Sequence, residues 1–173
     1  MSTQSSRIPP DTLLALLPRS PDIYLQKVDL VRRAGLAIEL NEAGYRAVSF
    51  LDDRILGPTT RGGWLPLPAL VSAAQQTAPR TLHYIFHTGH VGSTLLTRLL
   101  EESGHVLSLR EPLPLRTLAE AADSDGQIDA LISSEELNVL QACLLRLWSR
   151  TYRSTPHVVL KATSSAGRLA ERL

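Results

Sequence analysis

The chain has 173 residues, 43% of them hydrophobic, with 18 Lys and Arg against 17 Asp and Glu and a formal charge of +1. That is enough apolar length for one cored domain, and the balanced, scattered charge argues against a nucleic-acid or anionic-membrane surface. A single cysteine, Cys143, excludes an internal disulfide and a Cys-based zinc cluster; it reads as a small buried thiol in a reducing cytoplasm.

Residues 1–10 are polar and end in Pro9-Pro10, so a mobile tail is expected. No basic start leads into an adequate apolar core, and the run Leu13 to Leu17 stops at Pro18, so neither a signal peptide nor a membrane span is expected. Asp11 can cap a short helix through Leu17. Ile23 to Leu40 mixes apolar and charged residues without a clean period, and a strand reads best around Leu36 to Leu40. Asn41 can cap a helix to about Leu51, with Tyr45, Val48 and Leu51 at three-residue spacing. Asp52-Asp53-Arg54 has no third ligand nearby and reads as a solvated turn or an Asp–Arg ion pair rather than a metal site. Gly57 to Trp64 is turn-rich, and Pro66 suits the first turn of a helix to about Thr77. Residues 1–80 therefore read as a mostly helical, irregular preface to a second unit, residues 81–173.

That second unit opens with an apolar strand, Leu82 to Phe86, a loop, His87 to Gly92, and a helix beginning at Ser93 or Thr94. Leu95, Leu96, Leu99 and Leu100 recur at helical spacing and are expected to lie on the sheet, with Thr97, Arg98, Glu101 and Glu102 outward. A strand that feeds a glycine turn into a helix N-terminus makes an anion cradle, because the first helical N–H groups lack intrahelical partners and carry the positive end of the dipole. Thr88, Gly89, His90, Val91, Gly92, Ser93 and Thr94 are its candidate binding residues, and a phosphate is the expected ligand. The lysine of the G-x-x-x-x-G-K-[ST] loop is missing. A nucleotide 5′-phosphate therefore fits the loop better than a transferring γ-phosphate with magnesium.

Gly104 is a natural helix stop, and His105 to Pro112 reads as a second strand, completing a βαβ unit with parallel strands. Arg110 and Glu111 then fall at the same sheet edge as the loop, where ligands bind in open α/β sheets. Leu113 to Ala122 reads as helix, Asp123 to Gly126 as turn. Ser133 and Glu136 spell a capping box, and Leu137, Leu140, Leu144, Leu147, Trp148 and Tyr152 follow with a period near 3.6. His157 to Lys161 is a third apolar strand, and Ser164 or Ser165 can cap a last helix to Leu173. His83, His87 and His90 lack a carboxylate or Cys partner in sequence, so no metal is expected.

The spacing His90-x-Gly92-Ser93-Thr94-Leu95-Leu96 after a strand resembles the 5′-phosphosulfate loop of sulfotransferases, most of all the bacterial group that shares R-S-G-T/S-T-L-L with the tyrosylprotein enzymes. His90 stands where that family has Arg or Lys. The resemblance runs from about Leu82 to Leu173 and implies a P-loop-type α/β fold, a parallel sheet with flanking helices. It also implies 3′-phosphoadenosine 5′-phosphosulfate as donor and a hydroxyl-bearing acceptor. Glu111 in Leu109-Arg-Glu-Pro112 matches the family's base, and Lys161 matches a strand-end lysine on the leaving phosphosulfate, although Ala162-Thr163 follows it rather than x-Pro. His90 would join these two in catalysis. The family's later Arg-Asp-Pro-like turn and serine, which bind the donor 3′-phosphate, have no counterpart before Leu173. An incomplete sheet with an open edge able to self-associate is therefore expected. A different P-loop enzyme such as a small-molecule kinase, and a non-catalytic fragment, remain alternative readings.

Overall fold

The computed structural model describes residues 7–173. Ile23–Asp29 (β1) and Ala34–Glu39 (β2) pair antiparallel, and Gly62–Pro66 (β3) pairs antiparallel with β2. The stretch expected to be helical and irregular thus carries a three-stranded sheet as well as helices. β1 lacks the two-residue alternation that marks a half-exposed strand, because it is buried on both faces over most of its length. β3 begins within the expected turn, and its glycine serves close strand approach: a Cβ at Gly62 would collide with the backbone of Ala37 and Ile38 on the neighbouring strand. Arg7 forms a bridge to Gly62 and Ile8 is buried, so the described end of the expected tail is docked onto this sheet. Its first six residues lie outside the described ones.

The helices of this half follow their local signals more closely. Pro10–Leu16 (α1) starts on a proline, and Asp11 sits in its first turn rather than at the cap. Glu42–Ala47 (α2) is capped by Asn41, whose side chain accepts the Gly44 N–H at 2.8 Å, but it ends by Val48 rather than Leu51. Leu67–Gln75 (α3) starts after Pro66.

The second half carries the parallel sheet: Leu82–Ile85 (β4), Val106–Arg110 (β5) and His157–Lys161 (β6), in the order β4-β6-β5. The three strand ends are in register, with Ile85 and Arg110 both opposite Lys161, so their carboxyl tips form one edge. Ser93–Glu102 (α4) joins β4 to β5, Leu113–Asp123 (α5) follows β5, and Ser134–Trp148 (α6) precedes β6. The capping box of α6 is present in both directions, and the Glu136 carboxyl also takes the Arg33 guanidinium from the β1–β2 turn. Those hydrogen bonds, Arg33 first, hold that carboxyl down at about 2. A 3-10 helix, Ser164–Leu169, replaces the longer final helix expected. One apolar core runs through both halves, from Leu13 and Tyr24 to Leu144 and Leu160.

α4 lies the opposite way round from its leucine stripe. Thr97 is fully buried and Glu101 nearly so, whereas Leu95 and Leu99 are 62% and 60% exposed. The sheet explains this. β5 turns Ser108 and Arg110 toward the helix, and these need polar partners: Ser108 Oγ donates to Thr97 O at 3.3 Å, and Arg110 pairs with Glu101 at 2.6 Å. A leucine face there would have stranded a buried guanidinium. Leu99→Lys is therefore expected to leave stability within about 0.5 kcal/mol of wild type, as surface changes do. Thr97→Lys should abolish the cooperative melt; equal melting temperatures for the two variants would contradict this orientation.

Candidate functional site

Gly92, at φ 78°, is the N-cap of α4, and Gly89 and His90 also take positive φ, at 91° and 51°. These left-handed residues let the loop curl over the N-terminus of α4, whose first N–H groups have no intrahelical partner, while the Gly89 N–H is taken by His87 Nδ1 at 3.0 Å. Cβ atoms added at Gly89 or Gly92 would meet nothing within 4 Å, so space remains above the loop. Together these features form a concave surface of backbone donors suited to an anion.

That surface is one wall of a cavity of about 340 Å³. Gly89 to Thr94 line it from the loop, Glu111 and Lys161 from the ends of β5 and β6, and Phe50 and Arg54 from the N-terminal half. Thr88 is exposed and lies outside the lining. His90 lines the cavity from an exposed position, and Ser93 is buried beneath it.

Glu111 and Lys161, separate candidates in sequence, are bound to each other. Lys161 Nζ donates to Glu111 Oε1 from a side chain that is almost wholly buried. β6 lies between β4 and β5, which brings its terminal lysine within reach of both neighbouring tips. Glu111 sits at φ 53°, a left-handed conformation that costs a non-glycine residue on the order of 1–3 kcal/mol, and its own N–H donates to Lys161 O at 2.8 Å. Backbone strain of this kind, next to a ligand-sized cavity, is typical of a residue held for function.

Arg110, expected beside the loop, is turned away from it. It is fully buried and donates to the carbonyls of Tyr45, Arg46 and Val48 besides Glu101, tying the end of α2 to the sheet. Arg110 and Glu111 part because β5 ends at Arg110 and the chain turns at Glu111 into a left-handed conformation, φ 53°.

Phe50, Arg54, His87 and Ser164 line the cavity besides the expected residues. Arg54 lies 4.2 Å over the Phe50 ring and forms a two-pronged pair with Asp52, the Asp–Arg arrangement expected of that turn. In sequence His87 opens the loop and could suggest a metal with His83 and His90, yet His83 lies beside His157, at 6.2 Å between ring centres. His87 instead faces Glu111, with Nε2 3.8 Å from Oε1. Among the described residues no group of three His, Cys, Asp or Glu side chains could hold a metal ion. No helix among them is long and apolar enough to cross a membrane.

The chain matches no protein-family model, no curated protein and no solved structure.

Proposed function

We propose that this is a sulfotransferase-like domain that transfers a sulfuryl group from 3′-phosphoadenosine 5′-phosphosulfate to a hydroxyl acceptor in the cytoplasm. The observation that carries this reading is the meeting, in one cavity, of an anion-cradling glycine loop with a carboxylate and a buried lysine from two other strands. The residues fit the phosphosulfate end of such a donor: open backbone donors, a cation, and a volume near the lower end for ligand pockets.

The donor supplies an electrophilic sulfur and a phosphate leaving group. Glu111 accepts the acceptor hydroxyl proton as the new O–S bond forms, and Lys161 stabilises the charge left on the phosphate oxygen as the old S–O bond breaks. His90 adds a donor at the loop. By analogy with phosphoryl transfer, most of the catalysis is positioning and charge stabilisation. Both roles require the Lys161–Glu111 pair to part when ligand enters.

Saturating 3′,5′-adenosine bisphosphate without metal is expected to raise the unfolding midpoint, with stabilisation of about 2.7 kcal/mol at a hundredfold excess over Kd. A rise with ATP and magnesium alone would favour a kinase-like nucleotide enzyme instead. No rise with either would leave an inherited loop without a nucleotide site.

The same reading includes self-association. Among the described residues β4 has a sheet neighbour on one side only, and Val91, Leu95, Leu96 and Leu99 are exposed on the adjoining loop and helix. An unpaired strand edge and an exposed apolar helix face are each a pairing surface for a second copy. Sedimentation is expected to give a concentration-dependent dimer; a constant monomer mass would count against it.

A further inference from the structure

The His87 ring is 93% buried by its 7% side-chain exposure, yet its Nε2 has no hydrogen-bond partner. Its other nitrogen is committed. Gly89 N–H donates to His87 Nδ1 at 3.0 Å, so Nδ1 is an acceptor and a neutral ring carries its proton on Nε2. That leaves a buried N–H donor unpaired, at the cost of its desolvation. Glu111 Oε1 lies 3.8 Å away, too far for a hydrogen bond, and Lys161 takes that same oxygen.

Glu111 therefore stands between two donors and satisfies one. We propose that His87 is the positioning residue for Glu111: when Lys161 turns to an anion in the loop, the carboxylate closes on His87 Nε2–H and stays aimed into the cavity. This rests on the sulfotransferase-like reading for its purpose but not for its geometry. The arrangement couples ligand to base. Filling the loop recruits Lys161, and recruitment of Lys161 frees Glu111 Oε1 from the one donor it now satisfies. His87 then holds that oxygen in place of Lys161, which leaves the lysine free for the anion. The tautomer follows from the loop itself, because the Gly89 N–H that fixes it belongs to the anion cradle.

Imidazole 15N–1H correlation spectra of the whole chain test this. The ligand-free protein should show His87 with an acceptor-type Nδ1 and a protonated Nε2; the opposite tautomer overturns the proposal without need of any variant. Lys161→Met, which withdraws the competing cation, should move the Nε2–H resonance downfield and slow its exchange with water. Adding Glu111→Ala should abolish that change, and an unchanged signal between these two variants also overturns the proposal. If Lys161→Met does not fold, adenosine bisphosphate added to wild type is the substitute perturbation, and inorganic pyrophosphate serves where the nucleotide does not bind. The same downfield shift supports the proposal, and an unmoved His87 with the loop shown occupied by phosphorus spectra overturns it. A shift with Lys161→Met but none with bisphosphate upholds the His87 role and sinks the donor assignment, so the two failures read differently.

Discussion

Arg110→Met is expected to destabilise the chain by about 3–5 kcal/mol, the usual cost of removing one member of a buried ion pair and leaving the other charge uncompensated. Glu101 keeps a buried carboxylate, and the carbonyls of Tyr45, Arg46 and Val48 lose the fork that satisfies them. Arg110→Lys should recover only part of the loss, because an ammonium cannot span that fan of acceptors. Coupling provides the sharper check. Glu101→Leu combined with Arg110→Met should be far less destabilising than the two separate effects summed, since the double variant buries no lone charge. Urea unfolding of the three variants measures this. Additive effects would mean that the pair does not hold α4 and α2 to the sheet.

Glu111→Gln is expected to lower kcat by about 10²–10⁴-fold, the range for a general base, while leaving adenosine bisphosphate bound as well as in wild type or more tightly. The second half of this expectation comes from the ion pair. With its carboxylate partner neutralised, Lys161 no longer has to leave a salt bridge in order to meet a phosphate. Lys161→Ala should weaken bisphosphate binding and slow turnover together. Turnover of Glu111→Gln at the wild-type rate would remove Glu111 from the base role, and tighter binding by Lys161→Ala would remove Lys161 from the ligand.

Much of the second half was legible in sequence because its signals are local. The Ser133–Glu136 box, the glycine stop at Gly104 and the apolar runs at Leu82, Val106 and His157 each depend on a few neighbouring residues, and each marks an element the chain forms. The loop was legible for the same reason: glycine spacing before a helix start sets its own backbone. Tyr45 and Asn41 marked α2 but not its end, since Val48 leaves the helix where its carbonyl is drawn to Arg110.

The face of α4 shows where such reading stops. Periodicity establishes that a helix has two unlike faces, but which of them meets the sheet depends on what the sheet presents, and here that is Ser108 and Arg110. The site depends on long-range contacts in the same way. Glu111 and Lys161 are 50 residues apart, and their pairing follows from β6 entering between β4 and β5. His87 became visible as more than a loop residue only when Glu111 lay beside it. The local sequence encodes the elements and the backbone of the loop, because short-range sterics and hydrogen bonds suffice for both. Strand order, the buried charge of Arg110 and the shared carboxylate of Glu111 emerge from packing, because each is the meeting of segments that only a completed sheet holds together.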